Sequence, residues 1–124
     1  MDSLSKIKII INTSSNKIEG ELLKHLSPII VNKFIQKETL SGPLIKYGDS
    51  MVYAPIGIKA GVEKPKSNFN KGDIAFYPAN KSICIFLKNT EIKTRMTLIG
   101  KIINGLESLN NLSVGEVIKI EIRK

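Results

Sequence analysis

Three stretches in the second half of the chain decide its fold: residues 71–78 (KGDIAFYP), 83–87 (ICIFL) and 98–107 (LIGKIINGLE). The first two are short runs rich in β-branched and aromatic residues, which predicts two successive strands. The third stretch is a further strand, in which apolar residues flank Gly100 and Lys101. This half of the chain is therefore predicted to consist mainly of strands.

The first half predicts a hairpin followed by a helix. Residues 6–11 alternate polar and apolar side chains before becoming wholly apolar, and residues 18–22 alternate again after a polar turn. Ser27 and Pro28 fit the N-cap and the first position of a helix. The helix is expected to end near residues 37–39.

The remaining segments predict further strands joined by two long loops. Residues 44–47 and 51–54 form a second predicted hairpin, residues 55–71 a long loop and residues 89–97 a second loop. A short helical turn and a closing strand are expected at residues 105–109 and 114–122. About eight strands, one α-helix and no internal repeat predict a mainly β fold, a closed antiparallel β-barrel with the helix at one end.

The composition is that of one globular domain spanning residues 1–124. Hydrophobic residues make up 42% of the chain and charged residues 24%, so the composition is neither that of a disordered chain nor that of a membrane-spanning one. A single cysteine allows no internal disulfide, and residues 1–6 lack the pattern of a signal peptide. We therefore expect a soluble, cytoplasmic protein with no membrane partner.

The net charge of +8 raises the question of nucleic-acid binding. Only Arg95 and Arg123 are arginines, so bidentate contacts with phosphate or guanine are scarce. The lysines are spread along the chain, with a modest cluster at residues 59–71. A solvated basic surface is the favoured interpretation, and nonspecific contact with nucleic acid is the alternative left open. No feature of the sequence specifies an oligomeric state.

Several of these stretches resemble cyclophilins. Residues 98–105 (LIGKIING) match the family's Val-Phe-Gly-Lys-Val-x-x-Gly, and residues 18–23 (IEGELL) resemble its strand that ends in Glu-Leu. Residues 47–53 (YGDSMVY) and 72–79 (GDIAFYPA) are similar to motifs of small archaeal and bacterial cyclophilin-like proteins of unassigned function. The resemblance covers nearly the whole chain and implies a cyclophilin-like barrel.

The same resemblance implies that the usual catalytic residues are missing. Cyclophilins bind proline in an apolar pocket and stabilise the twisted amide with an arginine, but the family's Phe-His-Arg motif falls on residues 51–54 (MVYA) here. The pocket phenylalanine of the family falls on Phe76 and its histidine on Met96. Arg95, beside Met96, is a candidate substitute for the missing arginine, although it comes from a different loop.

Other reactive residues have ordinary structural interpretations. His25 is the single histidine and is expected to have a capping or surface role. Cys84 lies in an apolar strand, where a buried, inert thiol is expected. Asp49 and Asp73 each follow a glycine, which favours turn formation. No His or Cys spacing fits a metal site, and no glycine motif fits a nucleotide, so no metal and no cofactor are predicted.

The predicted function is that of a non-catalytic binding module whose groove takes a small molecule, an extended peptide or a segment of a partner protein. No catalytic residue is assigned. The predicted ligand-binding residues are Met51, Tyr53, Phe76, Tyr77, Met96 and Arg95. The alternative is a weak peptidyl-prolyl cis-trans isomerase that lacks the usual arginine.

Overall fold

The structure is a computed structural model in which residues 5–123 are described. Residues 1–4, on which part of the signal-peptide expectation rests, lie outside the described residues. The elements follow one another as β1 (Lys6–Asn12), β2 (Lys17–Leu23), α1 (Pro28–Ile35), β3 (Thr39–Pro43), β4 (Ile45–Tyr47), β5 (Met51–Pro55), β6 (Lys66–Phe69), β7 (Asp73–Tyr77), a 3-10 turn (Pro78–Asn80), β8 (Ser82–Phe86), β9 (Thr90–Asn104), a 3-10 helix (Leu106–Asn111) and β10 (Val117–Arg123). The predicted mainly β class is confirmed.

One antiparallel sheet runs in the order β3-β10-β1-β2-β9-β7-β8-β5-β4, and β6 pairs with β9 outside this path. The prediction of a closed barrel is wrong in one respect, because the end strands β3 and β4 do not pair with each other. They are consecutive in the chain and only Leu44 separates them. One extended segment thus pairs first with β10 and then with β5, and the chain itself joins the two ends of the sheet.

Close packing of β3 against β5 supports this junction. A Cβ atom built on Gly42 would lie 2.0 Å from the carbonyl oxygen of Pro55, so only glycine fits at this position. The sheet therefore curls into a barrel-like form that is held together at this point by packing and chain connectivity rather than by a ladder of hydrogen bonds.

The helix α1 begins at Pro28 as predicted, but a different residue caps it. Ser27 occupies the N-cap, yet its hydroxyl is buried and has no hydrogen-bond partner among the described residues. The Glu63 carboxylate instead accepts hydrogen bonds from the backbone N–H groups of Ile29 and Ile30, at 3.1 and 3.0 Å. Glu63 belongs to the predicted loop at residues 55–71, so these two hydrogen bonds hold that segment against the helix.

Two strands occupy segments that were predicted to be loops. Residues 55–71 contain β6, and the predicted loop at residues 89–97 is largely the beginning of β9. The groove side of the protein receives Phe69 from β6 and both Ile92 and Met96 from the beginning of β9. The two segments become strands because they pair with each other. Neither sequence alternates regularly between polar and apolar residues, so neither is recognisable as a strand on its own.

The sheet separates two hydrophobic clusters. The larger one, called here the main core, is more than half isoleucine and includes Ile83 and Ile85 of β8. The smaller one, called the groove cluster, includes Cys84 and Phe86 of the same strand. Because alternate residues of a strand point to opposite faces, β8 serves both clusters. The complete groove cluster comprises Met51, Phe69, Ala75, Cys84, Phe86 and Met96, with Tyr53, Tyr77, Ile92 and Leu98 packed against it.

Candidate functional site

The groove cluster is open on one side and forms the floor of a cleft. Cross-strand pairing defines this floor, because Tyr53 on β5 lies opposite Cys84 on β8, and Cys84 lies opposite Ala75 on β7. Two residues further along the same face, Met51 lies opposite Phe86. These neighbours present mixed aromatic, thioether and thiol surface toward the cleft.

The beginning of β9 forms a wall of the cleft. In its ladder with β6, Asn68 pairs with Glu91 and Lys66 pairs with Met96. Residues 92–95 of β9 therefore stand opposite the single residue Ser67, and the strand bulges there. This bulge, called here the β9 bulge, consists of Ile92, Lys93, Thr94 and Arg95.

The cleft has a volume of about 650 Å³. Its lining residues come from five strands and the segments that adjoin them: Tyr47, Ser50, Met51, Tyr53, Tyr77, Asn80, Cys84, Thr90, Glu91, Ile92, Lys93, Thr94 and Met96. Met51, Tyr53, Tyr77 and Met96 are four of the residues predicted to bind a ligand, and the structure brings them together at this cleft.

Phe76, another predicted ligand-binding residue, lies in the main core. Its side chain has no solvent-exposed surface and packs edge-to-face against Phe34 of α1, with ring centroids 6.1 Å apart. Tyr77 is the next residue of β7 and therefore points to the opposite face of the sheet. The alternation along β7 assigns Phe76 to the main core and Tyr77 to the cleft.

Arg95 is exposed and does not line the cleft. It lies in the β9 bulge next to Met96, which is buried in the groove cluster. The two neighbours thus differ completely in environment, as expected for successive residues of an extended strand.

The three tyrosines of the chain, Tyr47, Tyr53 and Tyr77, all line this cleft although they come from β4, β5 and β7. Tyr53 and Tyr77 are partly buried, while Tyr47 is 63% exposed at the rim. A tyrosine offers a flat apolar ring for contact and a hydroxyl for hydrogen bonding. Their convergence gives the cleft an aromatic wall with polar edges.

Sequence reasoning missed the contribution of Cys84 and of the β9 bulge to the cleft. Cys84 could have been found from the alternation of β8 once its pairing with Tyr53 was known. The bulge has no comparable signal, since its sequence is polar and its position depends on the register of β6 with β9.

Cys84 is not an activated nucleophile. Its side chain is 1% exposed, and burial raises the pKa of the thiol to about 12. At neutral pH the group remains a thiol, whereas nucleophilic attack requires the thiolate. The residue therefore contributes packing to the floor of the cleft, in agreement with the sequence-based interpretation.

The two Gly-Asp sequences form turns. The hydrogen bond from Lys88 lowers the pKa of Asp49, whose carboxylate lies 2.8 Å from the Lys88 ammonium group. Asp73 accepts a hydrogen bond from the backbone N–H of Asn70, at 2.8 Å. Neither carboxylate lines the cleft. Within residues 5–123, no three His, Cys, Asp or Glu side chains are grouped so that they could hold a metal ion.

A family model described as cyclophilin-like matches residues 5–121. The chain belongs to the cyclophilin-like family. The resemblance expected from the motifs at residues 47–53, 72–79 and 98–105 is thereby confirmed. Comparison with curated proteins gave no match. No helix among the described residues of this cyclophilin-like chain is long and apolar enough to cross a membrane.

Solved structures share the cyclophilin-like fold. A hypothetical protein from Archaeoglobus fulgidus is 24% identical, with 98% of each chain covered and a TM-score of 0.75. A cyclophilin-type peptidyl-prolyl cis-trans isomerase from Cryptosporidium parvum is 14% identical, with 96% of this chain and 98% of that chain covered and a TM-score of 0.70. McbB, solved in complex with tryptophan, is 11% identical over 94% of this chain and 44% of its own, with a TM-score of 0.71. At these identities the likeness establishes the fold alone.

Proposed function

We propose that this cyclophilin-like domain is a non-catalytic binding module whose cleft takes a small molecule or an extended peptide. The convergence of Tyr47, Tyr53 and Tyr77 on one open cleft is the observation that carries the proposal. Aromatic side chains are enriched at binding surfaces because they give much contact area for little loss of conformational freedom.

The size of the cleft favours a small molecule as the first class of ligand. Its volume of about 650 Å³ lies inside the range of roughly 300–1,000 Å³ that is common for small-molecule sites. Met51 and Met96 add flexible, polarisable surface that adapts to the shape of a ligand. Ser50, Asn80 and Thr94 supply hydrogen-bonding groups that can orient it.

The lining of the cleft supports binding without catalysis. Strand β5, on which the cyclophilin arginine would fall, carries no basic residue. The Cys84 thiol remains protonated because of its burial. Arg95, the candidate substitute in the isomerase alternative, lies outside the lining. The alternative therefore needs a movement that brings Arg95 over the cleft.

An NMR screen of aromatic small molecules against isotope-labelled protein tests the proposal. We expect ligands that shift the resonances of Tyr53, Tyr77 and Met96, and whose affinity falls about tenfold in Tyr47→Ala. Val117→Ala is the matched control, since Val117 is 62% exposed and lies on β10, outside the cleft lining. A screen without ligands, or ligands whose shifts lie elsewhere, contradicts the proposal.

A further inference from the structure

We propose that the ligand of this cleft is a small amphipathic anion, an aromatic or apolar body that carries a carboxylate, phosphate or sulfonate group. This inference rests on the proposed binding function and specifies the chemistry of the ligand. The body lies against the tyrosines and methionines of the cleft, and the anionic group lies at the rim against Lys93 of the β9 bulge. Arg95, which lies outside the lining, adds to the positive charge there.

The β9 bulge places positive charge at the rim of the cleft. Lys93 belongs to the lining, and Arg95 precedes Met96, which also belongs to it. Lys66 lies opposite Met96 in the β6–β9 ladder, with its ammonium group 5.4 Å from the centre of the Phe69 ring. The three cationic side chains of Lys66, Lys93 and Arg95 thus lie on the short paired segments of β6 and β9.

These cations form no ion pair with any residue between 5 and 123. The ion pairs among residues 5–123 are Lys8–Glu19, Lys88–Asp49 and Arg123–Glu121. Lys66, Lys93 and Arg95 take part in none of them. Other exposed lysines, such as Lys17 and Lys119, form no ion pair with a described residue either. What distinguishes the bulge is that its cations lie close together in sequence and pairing, beside an apolar cleft.

The acidic residues near the bulge do not neutralise it. Glu63 directs its carboxylate to the backbone of α1, where it caps the helix. Glu91 is the only carboxylate among the lining residues, and it forms no ion pair with a described residue. On the paired segments of β6 and β9, at residues 66–69 and 90–96, the three cations are accompanied by this one carboxylate. The resulting positive field at the rim attracts an anion and repels a cationic ligand.

Apolar surface and positive charge together define the class of ligand. A simple inorganic anion would leave the apolar floor in contact with water, and a neutral apolar molecule would gain nothing from the cations. An ion pair at an exposed rim contributes modestly, so most of the affinity comes from burial of the apolar body. The anionic group then selects among ligands of similar shape.

Two fluorescent dyes of similar shape test the inference. Anilinonaphthalene sulfonate carries the anionic group, and N-phenylnaphthylamine has the same aromatic body without it. We expect the sulfonate to bind about threefold to tenfold more tightly than the neutral dye, which is the effect of one or two exposed ion pairs. This preference is expected to decrease between about 50 and 500 mM NaCl because salt screens exposed charges.

The double variant Lys93→Gln/Arg95→Gln is expected to abolish the preference while leaving the neutral dye unaffected. Its matched control is Lys17→Gln/Lys119→Gln, which removes the same charge from exposed positions on β2 and β10. The control is expected to bind both dyes as the unchanged protein does. Equal loss in the two double variants would mean that only the net charge matters, and would overturn the inference.

Competition distinguishes an amphipathic anion from a bare polyanion. Naphthoate is expected to displace the sulfonate dye, whereas tetraglutamate at the same concentration of carboxylate is not; equal displacement by tetraglutamate contradicts the inference. Should both dyes bind equally and depend on Tyr47, the proposed binding function stands and the anionic preference fails. Should neither dye bind in the cleft, both proposals lose their support.

Discussion

The main core and the groove cluster are built from the same strands but differ in composition and closure. The main core is rich in isoleucine, a branched residue with few rotamers that packs densely. The buried members of the groove cluster are methionine, phenylalanine, cysteine and alanine, and its partly buried neighbours include two tyrosines. One face of the sheet therefore stabilises the fold, and the other carries the softer, partly open surface that we propose as the binding site.

The largest effect is expected where the strands approach each other most closely. A Cβ atom on Gly100 of β9 would lie 1.9 Å from the backbone oxygen of Glu21 on β2. The strands would have to separate, so Gly100→Ala is expected to lower the free energy of unfolding by more than about 4 kcal/mol in urea titrations. Gly61→Ala is the control, since nothing lies within 4 Å of its added Cβ. Equal stability of the two variants would contradict the close approach of β9 and β2 at Gly100.

The next largest effect is expected from truncating a buried side chain, and it should differ between the main core and the groove cluster. Leu22 has no exposed surface in the main core, and Leu22→Ala is expected to cost about 3 kcal/mol of unfolding free energy without changing dye affinity. Met51 lines the cleft, and Met51→Ala is expected to cost only about 1.5 kcal/mol, because solvent can enter the space, while weakening dye binding. Urea unfolding and dye titration of both variants measure the contrast. Loss of dye binding in Leu22→Ala alone would reverse the assignment of the two faces.

A smaller effect is expected at the cap of α1. Removing the carboxylate in Glu63→Ala leaves two backbone N–H groups without their acceptor and is expected to cost about 1.5 kcal/mol. Glu107→Ala serves as control, because the Glu107 side chain is exposed and takes part in none of the ion pairs among residues 5–123. Thermal or urea unfolding of both variants gives the comparison. If the two lose the same stability, Glu63 does not fasten the loop to the helix.

The smallest effect concerns the thiol beneath the cleft. Burial raises the pKa of Cys84 from its ordinary value of 9.0 to about 12 in the folded protein. Unfolding therefore releases a proton between these values, and stability falls as the pH rises through this interval. At pH 10 the protein is expected to lose about 1.4 kcal/mol relative to its value at pH 7, after subtraction of the change seen in Cys84→Ala. If the free energy of unfolding changes with pH in the same way in both proteins, Cys84 is not a buried thiol with a raised pKa.

Sequence reasoning was most successful where periodicity and turn chemistry agree. The helix start at Pro28, the hairpin of β4 and β5 and the helical turn after Gly105 were all predicted. The resemblance to cyclophilins identified the strands that bound the cleft, and four predicted ligand-binding residues lie there.

The features that could not be predicted depend on contacts between distant segments. The assignment of Phe76 to the main core follows from the register of β7, which an apolar run such as Ile-Ala-Phe-Tyr does not specify. Likewise, Ser27 has the right residue type for a helix cap, but the carboxylate of Glu63, which is distant in sequence, replaces it. The β9 bulge arises from a mismatch between two polar strands and has no sequence signature.

Binding in the groove cluster without catalysis is tested most directly by one NMR titration with a short Ala-Pro peptide and an aromatic anion added in parallel. Protein resonances and the cis–trans exchange of the peptide are followed together. The account predicts shifts at Tyr53, Tyr77 and Met96 with the anion, and no acceleration of peptide exchange. Accelerated exchange that disappears in Arg95→Ala would contradict it and identify this cyclophilin-like protein as an isomerase.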